Sequence, residues 1–125
     1  MITVSPIKDR EKTAEYFKKC GCNCSEHSGC SEAVCGNETL GYGIYELDES
    51  KMTVLAIEPE NDLMLADGIL RSVLHLAFRR GISEVYCSDK ALPLCEKLGF
   101  VKNKEKKQLD ISLLTKDCCH SSDMH

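Results

Sequence analysis

Hydrophobic positions along the chain repeat with two different periods, and the changes between them outline its elements. Ile2 and Val4 alternate with Thr3 and Ser5, the two-residue period of a short strand that Pro6 closes. From Lys8 to Cys20 the spacing lengthens to that of a helix, with Thr13, Ala14, Phe17 and Cys20 on one side and charged residues around the rest. Gly21 is its predicted stop. Between Gly21 and Gly36 neither period survives, so residues 20–36 are expected to form a loop carrying Cys20, Cys22, Cys24, Cys30 and Cys35.

Leu40 to Leu47 and Lys51 to Glu58 carry Tyr and β-branched residues on either side of Asp48, Glu49 and Ser50, which predicts a hairpin. Pro59 to Asp62 break it off. A long helix follows, with Ala66, Ile69, Leu70, Val73, Leu74 and Ala77 on one face and Asp67, Arg71, His75 and Arg79 on the other, ending at Gly81. Ile82 to Cys87 predicts a short strand. A further helix is capped by Ser88 or Asp89, holds Ala91, Leu94, Cys95 and Leu98 inward, and stops at Gly99. Phe100 and Val101 open a strand, and Leu109, Ile111 and Leu113 alternate in a returning one. A strand, a crossing helix and another strand imply a parallel pair, while the hairpins are antiparallel, so the fold class is mixed α/β with a mixed sheet.

At 125 residues, 42% hydrophobic and 29% charged, the chain has the size and make-up of one globular domain, expected to span 1–114 with a polar, mobile tail over 115–125. A formal charge of -4 provides no basic field, which argues against nucleic acid or an anionic membrane as the main partner. No apolar run suits a leader or a membrane helix, and a cytoplasmic protein is expected. The nine cysteines change that picture most. In a reducing compartment they read as free thiols, as redox groups, or as ligands of a soft metal such as Zn, Cu(I) or an iron-sulfur cluster, with Cys118, Cys119 and His120 as candidate members from the tail. Their spacing matches none of the paired-knuckle signatures.

The order of elements, with Ile57-Glu58-Pro59 ending the hairpin and Cys95-Glu96-Lys97-Leu98-Gly99-Phe100 closing the last helix, resembles the GNAT family of N-acetyltransferases as a divergent short member. The likeness runs from about Glu32 to Leu114. It implies an acyl-CoA N-acyltransferase-like fold, a central mixed sheet flanked by helices, with acetyl-CoA as cosubstrate in a cleft where two strands splay apart. The strand backbone of Leu55, Ala56 and Ile57 would then pair with pantetheine. The helix start at Leu65, Ala66, Asp67 and Gly68 would take the pyrophosphate.

Two departures from the family pattern stand out. Asn61, Met64 and Ala66 fall where the family has Gln or Arg, Gly, and Gly or Ala, so the phosphate cradle is reshaped or lost. Cys95 stands where a Tyr commonly protonates the leaving thiolate; it is a candidate proton donor or a small core residue. Glu58, at the strand end, is the candidate base, with Glu46 in reserve and His75 facing solvent. The activity implied is acetyl transfer from acetyl-CoA to a primary amine of a small molecule or peptide. The competing expectations are a non-catalytic module that binds a soft metal or metalloid or senses redox state through its cysteines, and a domain whose open sheet edge pairs in a homodimer.

Overall fold

The alternation at the start of the chain makes strand β1, Ile2–Pro6, in a computed structural model that describes residues 1–112 and 114. Helix α1, Arg10–Lys19, follows, its first turn held by Asp9, whose carboxylate accepts the amides of Glu11 and Lys12 at 3.0 and 3.1 Å. Strands β2 (Ser28–Cys35), β3 (Glu38–Leu47) and β4 (Lys51–Glu58) lie side by side, antiparallel. Helix α2, Leu63–Arg79, crosses over to β5, Glu84–Cys87, which runs parallel to β4. Helix α3 (Leu92–Lys97), β6 (Val101–Asn103) and β7 (Gln108–Leu109) complete the described chain. The sheet has seven strands in the order β1-β2-β3-β4-β5-β7-β6.

Two neighbouring residues of β4 show how the layers form. Ile57 packs with the α2 face and Ala56 with the α1 face, because successive strand residues point to opposite sides. The six residues of the predicted α2 stripe, Ala66, Ile69, Leu70, Val73, Leu74 and Ala77, are all at 0% exposure. Burying each Ile, Leu or Val contributes about 1.5–3 kcal/mol, well above any difference in helix propensity, so packing holds α2 in place. On the opposite face Phe17 and Tyr16 meet Cys30, Ile44 and Ala56. The chain leaves the three helices through Gly21, Gly81 and Gly99, each with a left-handed backbone that favours glycine. Among the described residues no helix is long and apolar enough to cross a membrane.

Three expectations need correction. Residues 20–36 are not all loop: 28–35 form β2, hydrogen-bonded between β1 and β3. Its buried positions are small or polar, so no hydrophobic period marks it; buried Glu32 is stabilised by Lys12 Nζ at 2.6 Å and by the Tyr16 hydroxyl, which donates to it at 2.5 Å. In α1 the buried side is Thr13, Tyr16 and Phe17, whereas Ala14 is exposed. The returning strand ends at Leu109, because Asp110 turns the chain by accepting the Ser112 amide at 2.9 Å. The expected tail, with Cys118, Cys119 and His120, and Leu113 lie outside the described residues.

Candidate active site at the split between two parallel strands

The parallel ladder of β4 and β5 has its last rung at Val54 and Cys87. Beyond it β4 runs on to Glu58, while the chain after β5 turns away at Ser88. The departure is built into β4: Ile44 faces Ala56 and Tyr45 faces Val54, so Leu55 is the extra residue of a bulge. Ser88 seals the base of the opening. Its amide donates to the Val54 carbonyl at 2.9 Å and its hydroxyl to the Leu55 carbonyl at 2.6 Å. The same hydroxyl accepts the Ala91 amide at 3.1 Å; Ala91, not the expected Ser88 or Asp89, is the N-cap of α3, and Ser88 instead ties the turn before that helix to β4. Leu55 is half-buried, and Ala56 and Ile57 are buried.

Glu58 stands at the open end of β4, on the wall of a cavity of about 330 Å³ with Tyr16, Lys19, Thr39 and Tyr42. Gly41 makes that corner possible, because a Cβ there would collide with the Glu58 carbonyl oxygen and Pro59 Cδ. Tyr16 and Tyr42 stack with ring centroids 4.1 Å apart, and Lys19 Nζ lies 5.6 Å from the Tyr16 ring. Tyr42 Oη is 3.7 Å from Cys20 Sγ. Burial pushes the Tyr42 hydroxyl well above its ordinary value, and the Cys20 contact and the Glu58 charge add to the rise. Tyr16 is raised likewise, first by burial and then by its bond to Glu32. Sequence reasoning missed this tyrosine pair, since nothing local to either residue signals a stack between α1 and β3.

The helix start does not assemble a phosphate cradle. Asp62 caps α2, its own carboxylate accepting the Leu65 amide at 3.1 Å, so an anion already occupies the terminus. Ala66 is in the core, Asp67 pairs with Arg71 at 2.9 Å, and a Cβ at Gly68 would meet nothing within 4 Å. Leu63 and Met64 turn outward, at 46% and 89% exposure. The residues expected to take a pyrophosphate thus bring an acidic cap and no closely packed glycine to it.

Cys95, the candidate proton donor, is at 0% exposure, inside the core. Its side chain is hydrogen-bonded to Cys87; that contact and burial raise its thiol far above the usual range, while Cys87 is lowered by the same bond. A thiol so placed is a core residue that does not give up its proton readily. Glu46 lies at the other end of β3, where the Ser25 hydroxyl donates to it at 3.2 Å, and His75 is exposed beside Phe78. The described cysteines of this segment differ in depth: Cys24 is exposed, Cys20, Cys22 and Cys35 are half-buried, and Cys30 is buried in a cluster against which Cys20 and Cys22 pack, its thiol pushed up to about 12, chiefly by burial. Among the described residues no three His, Cys, Asp or Glu side chains gather as a metal site.

No family model matches the chain, and no curated protein matches it significantly. Solved structures do. A ribosomal-protein-alanine N-acetyltransferase from Brucella melitensis superposes with a TM-score of 0.58 at 12% identity, covering 78% of this chain and 90% of that one. A GNAT-family acetyltransferase from Elizabethkingia anophelis with acetyl-CoA bound gives 0.55 at 17%, covering 79% and 75%. One from Streptococcus pneumoniae gives 0.54 at 16%, covering 80% and 87%. At such identities the likeness is one of fold: the chain has the GNAT fold, as its element order led us to expect.

Proposed function

We propose that this protein is an N-acyltransferase that moves an acetyl group from a pantetheine thioester, acetyl-CoA, to a primary amine. The observation that carries this reading is the split itself. A bulge at Leu55 and a bridge from Ser88 open one edge of β4 at the point where the parallel ladder stops. An extended amide such as pantetheine can add to that edge as a short strand would, along Leu55, Ala56 and Ile57. The thioester supplies the acyl group and a thiolate leaving group.

Glu58 is the proposed base. It takes one proton from the acceptor ammonium in the cavity beside Tyr42; the amine nitrogen then bonds to the acyl carbon, the carbon-sulfur bond breaks, and the second proton lost by the nitrogen passes through solvent to the departing thiolate. Aromatic walls and a carboxylate suit a cationic acceptor, by ring and charge attraction together. Ribosomal-protein-alanine acetyltransferases among the similar folds support an acceptor that is a peptide or protein amine. The proposal places the protein in the cytoplasm, where its thiols stay reduced. Calorimetric titration of the reduced protein with acetyl-CoA tests it. Heat of binding, followed by acetylation in a screen of amines and peptides, is the expected result; no heat at millimolar donor and no thermal shift would sink the reading.

A further inference from the structure

The strand half and the helix half of this donor site disagree, and the disagreement has a chemical meaning. Glu58 ends β4, Glu60 and Asp62 follow in the turn to α2, and Asp67 lies in the helix. Between Lys51 and Arg71 there is no Lys or Arg. The Asp62 carboxylate fills the anion position at the terminus of α2, accepting the Leu65 amide at 3.1 Å. The first turn itself brings no compensating charge, only Leu63, Met64 and Leu65, the first two standing out into solvent. A pyrophosphate arriving there would displace the cap and meet like charge within the distance at which neighbouring charges couple strongly. On the strand side none of this applies. Backbone at Leu55 to Ile57 recognises an amide by hydrogen bonds, whatever is attached to the far end of the pantetheine arm.

We infer that the donor site reads the acyl-pantetheine arm alone and leaves the nucleotide half of the donor unread, so that acyl-pantetheine thioesters in general, and not CoA esters in particular, are its substrate class. The inference rests on the acyltransferase reading above. It differs from it in what it demands of the pyrophosphate: the diphosphate contributes nothing to affinity, and the charge of Asp62 is the reason.

The experiment is a calorimetric titration of the whole reduced chain with three donors, acetyl-CoA, its 3′-dephospho form and S-acetylpantetheine, each at low and high salt. The expected result is three Kd values within about threefold of one another, with acetyl-CoA binding no more weakly as salt rises. S-acetylpantetheine binding at least about tenfold more weakly than acetyl-CoA would overturn the inference and leave the acyltransferase reading standing. No binding by any of the three overturns both. Asp62→Asn gives an independent check, because the amide keeps the cap oxygen and loses the charge. It is expected to tighten acetyl-CoA by about threefold or more without moving S-acetylpantetheine. An equal effect on both donors, or none on either, would remove Asp62 as the cause.

Discussion

The Ser88 hydroxyl donates to the Leu55 carbonyl across the split, at 2.6 Å, and so joins the bulge of β4 to the start of α3. Ser88→Ala leaves the Leu55 carbonyl and the Ala91 amide each without this partner. Unsatisfied, partly buried groups of this kind cost about 1–3 kcal/mol apiece, less where water can enter. A drop of several degrees in Tm is therefore expected, with Ser88→Thr retaining most of the stability. An unchanged Tm in Ser88→Ala would mean that the bridge holds nothing together.

A second prediction concerns the tyrosine stack. Tyr16→Phe keeps the ring on Tyr42 and removes only the hydroxyl that donates to Glu32, which retains Lys12. Its expected cost is about 0.5–1.5 kcal/mol in urea unfolding, rising to roughly 1.5–3 because the acceptor is charged. Tyr16→Ala also empties the space above Cys30 and Ile44, and large aromatic deletions cost about 3–5 kcal/mol. Equal losses in the two variants would show that the ring contributes nothing beyond its hydroxyl.

Alkali should unfold the protein through the same face. Tyr16, Tyr42 and Cys30 all have their acid form favoured by folding, the two tyrosines far above the ordinary value and Cys30 at about 12. A group raised in the folded state contributes its stability fully below its unfolded pKa and loses it as pH climbs toward the folded one. For a cysteine that loss begins near pH ~8.5 and for a tyrosine near pH ~10. Stability should hold at neutral pH, decline from about pH 9 and fall more steeply above about pH 10. Urea midpoints measured across that range check it, and Tyr16→Phe should flatten the steep part.

How much of this was legible in the sequence depends on where each element's instructions lie. Helix α2 was readable because its six buried residues form one stripe, and the parallel crossover followed from its place between two strands. Strand β2 was not, because its burial is made acceptable by Lys12 and Tyr16 of another element, which no local pattern reveals. The end of β4 was readable in Ile57-Glu58-Pro59, so Glu58 was placed at the open corner; the bulge at Leu55 that creates the opening has no residue signature. The departure at the phosphate turn was visible in Met64, although the residue whose carboxylate caps the helix terminus is Asp62. Its signal was present, an Asp directly before an apolar helical run.

Thiol chemistry should separate the cysteines by depth. Among the described cysteines, Cys24 is exposed and should react first with a disulfide reagent at mildly alkaline pH, followed by the half-buried Cys20, Cys22 and Cys35. Cys30, Cys87 and Cys95 are buried and should stay unmodified until denaturant is added. The lowered Cys87 does not change this order, because a thiolate must also be reached. Peptide mass mapping after short labelling pulses checks it, and early labelling of Cys95 would contradict its place in the core.

The sharpest test of the catalytic proposal is Glu58→Gln. The side chain lines the cavity with Tyr42 and Lys19, and among the described residues it forms no salt bridge; its strand partner is Tyr42, whose hydroxyl that charge only pushes higher. Gln fills the same space, so Tm and donor affinity should stay where they are. A base in proton transfer contributes about 10²–10⁴ to rate, and kcat should fall within that range with KM for the donor little altered. The pH profile carries the distinction. If Glu58 removes the proton, the variant depends on the free amine fraction alone, and its rate should climb with pH toward the pKa of the acceptor. Parallel profiles for the two proteins, with kcat lowered by less than about tenfold, would reduce Glu58 to a residue that shapes the cavity.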